Sequence, residues 1–138
     1  MRNGSKMNLE KEFFDLIERL KREENALILV EGRRDMESLK NIGIKYEIIC
    51  ISQRKMYDLT LDLVKKDKKI IILTDFDSKG TKLFKEYRKE LEFLGANIDA
   101  TYYKKLKFYS KKFIKGIEDI DNFLLTHQTS RPCSYNPE

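Results

Sequence analysis

Two stretches of this sequence decide its fold: ALILVEGRRD at residues 26–35 and KIIILTDFDSKG at residues 69–80. Each contains a short run of aliphatic residues, which is typical of a strand buried in a parallel sheet. Acidic residues follow both runs, Glu31 in the first stretch and Asp75 and Asp77 in the second. In parallel sheets, ligands bind beyond the carboxyl ends of the strands. The pattern therefore predicts acidic side chains at the edge of the sheet where a ligand would bind.

The rest of the chain alternates between helical and strand patterns. Apolar stripes predict helices over residues 9–23, 34–41, 55–66, 80–94 and 118–125. Apolar runs predict strands over residues 26–30, 47–51, 69–73 and 97–103. This order indicates an α/β, Rossmann-like three-layer fold with about four parallel strands flanked by helices. We expect an N-terminal helix packing on the core in residues 1–25, one domain in residues 26–126 and a disordered tail in residues 127–138.

Composition excludes several classes of protein. The 138 residues fit one domain with one core, and the sequence has no apolar run long enough to cross a membrane. Cys50 and Cys133 form no metal-type or redox-type pair, and the start of the sequence has no secretory signal, which together favour a cytoplasmic location. Because His127 is the only histidine, zinc enzymes and Ser-His-Asp hydrolases are disfavoured.

Positive charge is concentrated in the segment YYKKLKFYSKKFIK at residues 102–115, which has six lysines and no acid. The chain has a formal net charge of +5, and without these lysines its acidic residues would outnumber the basic ones. Such a segment indicates a phosphate-rich partner, and we expect it to bind nucleic acid. Its five aromatic residues either pack in the core or stack on unpaired bases, and the sequence leaves both open. The candidate contacts are Lys104, Lys105, Lys107, Lys111 and Lys112.

The carboxylates of Glu31, Asp75 and Asp77 should converge if the first and third strands are neighbours. Clustered carboxylates raise one another's pKa unless a cation lies among them. Magnesium suits such a site because it prefers hard oxygen ligands, and we expect that manganese can replace it. A plainer interpretation is that acids after strands cap helices, and Asp35 fits either role.

Glycines and basic residues surround these acids in the sequence. Gly32 would let the chain turn sharply after the first strand, and Gly80 would open a helix towards a phosphate. The basic candidates for holding a nucleic-acid backbone on the same loops are Arg33, Arg34, Lys79 and Lys82.

Taken together, V-E-G-R-R-D and T-D-F-D-S-K-G resemble the Toprim domain, which topoisomerases, primases, recombination proteins and certain nucleases share. The resemblance covers about residues 26–125. It implies that Glu31 serves in acid–base catalysis or metal binding and that Asp75 and Asp77 hold magnesium. A topoisomerase also needs a tyrosine nucleophile on a separate domain, for which a chain of this length has no room.

The small stand-alone Toprim proteins, which include the nuclease that matures 5S ribosomal RNA, are the most similar group. The sequence KGIEDID at residues 115–121 resembles an acidic motif that follows the two aspartates in that group. Glu118 and Asp119, with Asp121, are therefore candidate accessory metal ligands. The alternative is that they are acids enriched at the start of a helix.

The resemblance implies a magnesium-dependent phosphodiesterase that cleaves nucleic acid, with RNA processing favoured over DNA. The alternative is a non-catalytic module that binds magnesium and nucleic acid within a repair, recombination or primase-like complex. Phospho-receiver domains and haloacid-dehalogenase-type phosphatases also use aspartates at strand ends. A receiver needs an acidic pair after its first strand, where this sequence has Glu31-Gly32 followed by arginines. The phosphatases have their D-x-D after the first strand and need more chain than the 61 residues that follow Asp77. We expect no association with membranes, and a homodimer is one way in which so small a chain could span a duplex.

Overall fold

A computed structural model describes residues 4–52 and 54–128 of the chain. At its centre is a parallel sheet of three strands in the order β2-β1-β3. The strands are β1 (Ala26–Val30), β2 (Ile48–Cys50) and β3 (Lys69–Leu73). In the middle of the sheet, Ile28 pairs with Ile48 on one side and with Ile71 on the other.

Six helices surround this sheet. They are α1 (Gly4–Lys21), α2 (Arg33–Asn41), α3 (Met56–Lys65), α4 (Ser78–Phe93), α5 (Thr101–Ser110) and α6 (Ile120–Gln128). The path from β1 to β2 and the path from β2 to β3 run in opposite directions across the sheet. Because parallel crossovers are right-handed, α2 and α3 lie on opposite faces. Helix α4 packs against α3, whereas α6 packs against α2 and α5 packs against α1 and β3.

The core lies between the sheet and its helices. All five residues of β1 are buried, as are the last four of β3, which explains why these two runs have no polar alternation. Helix α1 contributes Phe13, Leu16, Ile17 and Leu20, all buried in the same cluster. This packing fixes the strands whose carboxyl ends carry the candidate site.

The prediction of a fourth strand at residues 97–103 is wrong. Only Ile98 pairs with β3, in an isolated bridge to Ile70, and the chain then turns into α5. The Asp99 carboxylate accepts a hydrogen bond from the Thr101 backbone N–H at 3.0 Å, which favours the start of a helix there. The apolar spacing of Tyr102, Leu106 and Tyr109 in α5 is helical, and all three are buried.

The end of the described chain also differs from the prediction. A 3₁₀ turn at Ile117–Asp119 leads directly into α6, which continues to Gln128. His127 is therefore in a helix, with its ring stacked on Phe123 at 3.9 Å between centroids, and does not begin a tail. The remaining residues of the predicted tail, 129–138, lie outside the described residues.

Candidate metal centre and nucleic-acid interface

The candidate site begins where two neighbouring strands end. Val30 of β1 pairs with Leu73 of β3, so Glu31 and Asp75 follow adjacent strands at one edge of the sheet. The Glu31 carboxylate accepts a hydrogen bond from the Asp75 backbone N–H, with Oε2 and N 2.9 Å apart. One carboxylate oxygen of Glu31 thus links the end of β1 to the end of β3, which are neighbours in the sheet.

Asp75 is the electrostatic centre of this edge. Its side chain is half-buried, and the pKa of its carboxyl is raised to about 6, with burial as the largest cause. The negative charges of Asp35, Glu31, Asp77 and Glu118 add to this rise in pKa, in that order. Five carboxyl groups therefore lie close enough to act on one another, and a bound cation would relieve their repulsion.

Asp35 is the deepest of these acids, with 6% of its surface exposed. Its carboxylate accepts a hydrogen bond from the Gly32 backbone N–H at 3.1 Å, at the start of α2. Burial raises the pKa of Asp35, and the charges of Glu118 and Glu31 act in the same direction. Asp35 therefore belongs both to the first turn of α2 and to the acidic cluster, two roles that the sequence left as alternatives.

Two of the candidate ligands also cap helices. Asp77 Oδ1 accepts a hydrogen bond from the Gly80 backbone N–H at 2.7 Å and is the N-cap of α4. Asp119 Oδ2 accepts hydrogen bonds from the backbone N–H groups of Lys115 and Gly116, each at 3.2 Å. Glu118 instead faces the cluster, and its Oε1 is 3.7 Å from Arg34 Nε. Glu118 is thus better placed than Asp119 to act on Asp75.

Within the described ranges, no three His, Cys, Asp or Glu side chains are arranged as ligands around one point. Glu31 and Asp77 each accept a backbone hydrogen bond through one carboxylate oxygen. Magnesium usually takes only one or two carboxylates and completes its shell with water and phosphate. The donor set therefore fits magnesium better than a metal that needs a closed cage of protein ligands.

Two glycines, Gly80 and Gly116, pack directly against Asp75, whereas Gly32 does not. A Cβ at Gly80 would lie 2.0 Å from the Asp75 carbonyl oxygen, and a Cβ at Gly116 would lie 3.2 Å from Asp75 Oδ1. A Cβ at Gly32 would meet nothing within 4 Å. The backbone there is extended, with φ at −149°, so no steric need for glycine exists at position 32. Gly116, which the sequence analysis did not select, lies directly beside the central carboxyl.

Tyr103 supports the same loop from α5. Its hydroxyl donates a hydrogen bond to the Asp75 carbonyl oxygen at 2.9 Å. Its ring stacks on Phe84 of α4, with centroids 4.1 Å apart and planes 10° from parallel. In the sequence, Tyr103 is one residue of an apolar stripe, which does not predict its hydrogen bond to Asp75. That bond depends on α5 crossing the end of β3.

The basic residues of the strand-end loops border the acidic cluster. Arg33, Arg34, Lys79 and Lys82 are all exposed. A shallow groove beside Asp77 is lined by Phe76, Thr81, Lys82, Lys85 and Lys107. Lys107 Nζ donates a hydrogen bond to Thr81 Oγ1 at 2.9 Å, which brings α5 to the first turns of α4. Positive charge thus lies immediately next to the carboxylates on this side.

The lysines of residues 102–115 do not form one continuous track. Lys107 reaches the site, whereas Lys105 lies beside α1. Lys111 and Lys112 border a separate groove between α5 and α6. Lys104 is exposed on α5. Directly after α5 the chain bends at residues 111–113, and the lysines that follow therefore leave the line of the helix.

The aromatic residues of that segment divide into two groups. Tyr102, Tyr103 and Tyr109 are buried, and Phe113 is partly buried against the core. Phe108 is the exception, with 51% of its surface exposed. Packing therefore explains four of the five aromatic residues, but not Phe108.

Comparison with protein families identifies the fold. A model of the Toprim domain matches residues 26–110. The chain belongs to the Toprim domain family. The match contains Glu31, Asp75 and Asp77, whereas Glu118 and Asp119 lie beyond it. The three-stranded parallel sheet with flanking helices is a Rossmann-like Toprim fold with one strand fewer than expected.

Relatives of this Toprim protein match most of its length. A UPF0292 protein of Thermococcus gammatolerans is 40% identical over 110 residues, covering 80% of this chain and 81% of that one. A UPF0292 protein of Pyrococcus furiosus is 41% identical over 113 residues, covering 82% and 83%. A solved structure of a protein from Aquifex aeolicus aligns with a TM-score of 0.67 and 29% identity, over 78% of this chain and 96% of that chain. The small stand-alone type of Toprim protein fits these matches.

Membership of the Toprim family indicates a metal-binding function related to nucleic acid. The described residues include no helix that is both long and apolar enough to cross a membrane.

Proposed function

We propose that this Toprim protein is a magnesium-dependent phosphodiesterase that cleaves nucleic acid, with RNA favoured over DNA. The observation that carries the proposal is the position of Asp75, a half-buried carboxyl among four other carboxyl groups. Exposed arginines and lysines lie on the loops around it. The preference for RNA rests on the resemblance to small stand-alone Toprim nucleases.

The chemistry of the donor set supports a hard divalent cation. Asp75 would be the principal ligand, because neither of its carboxylate oxygens accepts a hydrogen bond from the described residues, whereas Glu31 and Asp77 each have one oxygen bonded to a backbone N–H. Asp77 Oδ2 and Glu31 Oε1 remain as further oxygen donors. Without a cation, the raised pKa of Asp75 favours its protonated form at mildly acidic pH. Manganese, which takes similar oxygen ligands, is expected to substitute.

A magnesium ion held there would polarise the scissile phosphate and lower the pKa of a bound water. Glu31 would accept the proton of the attacking water through the oxygen that does not bind the Asp75 N–H. Lys82 and Lys107, beside Asp77, would hold the phosphate backbone next to these carboxylates. Tyr103 and Gly80 would keep the Asp75 loop in place and would not touch the substrate.

A cleavage assay tests this function with structured RNA, single-stranded DNA and branched duplex DNA, each end-labelled. The test variant carries Asp75→Asn and Asp77→Asn, which remove two charges while asparagine at position 77 can still cap α4. The matched control is Asp67→Asn, an exposed aspartate before β3 whose positive φ of 54° asparagine tolerates. We expect metal-dependent cleavage of RNA by the wild type and the control, and none by the double variant. Cleavage that persists in the double variant would overturn the proposal.

One observation favours the non-catalytic alternative. The backbone hydrogen bonds of Glu31 and Asp77 give both carboxylates a structural task, and the described residues contain no three-ligand cluster. Such a site could bind magnesium and nucleic acid as part of a repair, recombination or primase-like complex without turnover. In the same assay this alternative predicts binding of nucleic acid by the wild type and cleavage of none of the substrates.

A further inference from the structure

One face of α5 carries positive charge around an exposed aromatic ring. Lys107 and Phe108 lie three and four residues after Lys104, so these three residues share one side of the helix, and Lys111 follows at its C-cap, beside the groove between α5 and α6. The opposite side, with Tyr102, Leu106 and Tyr109, is buried. We call these four residues the α5 lysine face.

Among the described residues, the lysines of this face have no carboxylate partner, although Lys107 is hydrogen-bonded to the Thr81 hydroxyl. In the parts of the chain that the structure describes, none of its lysines forms an ion pair with a carboxylate. Helix α5 also has no acid in its first turn. Like charges one helical turn apart, such as Lys104 and Lys107, repel each other and disfavour a helix. An anionic ligand would relieve that repulsion, so the charge pattern indicates a polyanion.

Phe108 narrows the choice of polyanion. Half of its surface is exposed, and its ring meets the edge of the buried Tyr109 ring at 5.3 Å between centroids. The ring is therefore held against the helix with one side open. An aromatic face between lysines suits a nucleic-acid strand, because a base can stack on the ring while flanking phosphates meet the lysines. A duplex has no free base faces along its length, so the arrangement favours a single strand.

The α5 lysine face also adjoins the acidic cluster. Lys107 is hydrogen-bonded to Thr81, and the Thr81 backbone N–H donates to the Asp77 carbonyl oxygen at 2.9 Å. A strand lying along α5 would thus continue past Lys107 into the groove beside Asp77, where Lys82 and Lys85 lie together with one further acid, Glu86.

We propose that the α5 lysine face binds a single-stranded stretch of nucleic acid, with Phe108 stacking on an unpaired base. The proposal rests on the proposed function only where it names the acidic cluster as the place to which the strand leads. Binding at this face requires neither metal nor cleavage.

The sequence contains no tryptophan, so Phe108→Trp places a single tryptophan, whose emission can be separated from that of the seven tyrosines, at the proposed stacking position. Phe93→Trp is the matched control, since Phe93 is 82% exposed at the far end of α4. Both full-length proteins are titrated with single-stranded oligoadenylate in a chelating buffer. We expect saturable quenching of the tryptophan at position 108 and none at position 93. Equal quenching at both positions, or at neither, would overturn the proposal.

Binding affinities separate stacking from general hydrophobic contact. Phe108→Ala should weaken binding of single-stranded RNA by roughly 5- to 150-fold, the range for loss of one stacked base. Phe108→Tyr should restore the affinity for single-stranded RNA, and Phe108→Leu should not. Phe93→Ala should bind as the wild type does. Wild-type affinity in Phe108→Ala, or full recovery in Phe108→Leu, would contradict stacking. Circular dichroism confirms that each variant is folded.

Two further comparisons identify the ligand. Duplex RNA should bind Phe108→Ala and the wild type equally well. Anionic phospholipid vesicles should not shift the emission of the Phe108→Trp variant, and a shift with vesicles but no quenching by oligoadenylate would overturn the proposal in favour of a membrane surface. Loss of binding in Phe108→Ala without cleavage by the wild type would contradict the nuclease proposal alone. Cleavage and binding that both survive Phe108→Ala would contradict this inference alone.

Discussion

Replacing Gly80 with alanine tests the packing beneath the acidic cluster. The added Cβ would lie 2.0 Å from the Asp75 carbonyl oxygen, 2.5 Å from its carbonyl carbon and 2.8 Å from its Cα. These are backbone atoms, which cannot move aside as the tip of a long side chain can. The loop that carries Asp75 must therefore shift, and overpacking of this kind costs about 1–3 kcal/mol of unfolding free energy.

The direction of the effect is diagnostic. In a helix without steric conflict, alanine is more favourable than glycine by roughly 0.5–1 kcal/mol, so a packing-free position would gain stability. Gly32→Ala is the matched control, because its backbone is extended and its Cβ would meet nothing within 4 Å. We expect the free energy of unfolding of that control to change by no more than about 0.5 kcal/mol.

Urea unfolding followed by circular dichroism, with linear extrapolation to water, measures both variants. The Gly80→Ala variant should also lose activity, since its Asp75 loop is displaced, whereas Gly32→Ala should remain folded and stable. A Gly80→Ala protein as stable as the wild type would refute the close approach of α4 to the Asp75 loop. Equal destabilisation by Gly32→Ala would refute the distinction between the two glycines.

Three further predictions concern the site and its basic surroundings. In metal-free buffer, the wild type should lose stability as the pH rises from 3.8 to about 6, because a carboxyl whose pKa is raised by folding favours the folded state only while it is protonated. Asp75→Asn should remove this loss of stability. Urea unfolding of the wild type and the variant, at pH values below 3.8 and above about 6, measures the effect. An equal pH dependence of the two proteins would contradict the prediction. Tyr103→Phe should cost about 1 kcal/mol of unfolding free energy, the usual contribution of one hydrogen bond, because it removes the hydroxyl bond to Asp75 at 2.9 Å and a longer contact with Thr81 Oγ1 at 3.4 Å, while the ring still stacks on Phe84. Unchanged stability in urea would argue against the bond to Asp75. Replacing both Lys104 and Lys111 with glutamine should reduce the slope of log binding constant against log salt by about 1.4 for single-stranded RNA, at about 0.7 per phosphate contact; fluorescence anisotropy at several salt concentrations measures the slope, and an unchanged slope would place the phosphates elsewhere.

The strands at the centre of the fold could be predicted from sequence because their patterns are local. The runs at residues 26–30 and 69–73 are apolar throughout and are followed by acids. A strand buried on both faces leaves no place for polar alternation, so these runs had few other interpretations. Their adjacency then followed from the topology of parallel sheets and brought Glu31 and Asp75 to one edge.

The start of α5 could not be predicted in the same way. Residues 97–103 are rich in β-branched and aromatic residues that suit a strand, and Ile98 does make one bridge to β3. The Asp99 side chain and the buried stripe that begins at Tyr102 then favour a helix. Whether these residues form a helix or a strand depends on the packing of α5 against α1 and β3, which is tertiary information.

Parts of the site were also beyond local patterns. Asp35 and Gly116 come to Asp75 from α2 and from the turn before α6, elements that are far apart in the chain. The exposure of Phe108 among buried aromatic neighbours depends on which side of α5 meets the core. The six lysines of residues 102–115 predicted a positively charged segment. Their spacing did not predict that these lysines would lie on different surfaces of the fold.

We propose that the carboxylates at the ends of β1 and β3 form a magnesium-dependent catalytic centre. Its most direct test is the single-turnover rate of RNA cleavage over a magnesium titration, for the wild type, Asp75→Asn and the Asp67→Asn control. We predict rates that rise with magnesium and saturate for the wild type and the control, with a loss of about 100-fold or more for Asp75→Asn. Equal rates in the wild type and Asp75→Asn, or cleavage by the wild type in the presence of a chelator, would contradict the claim.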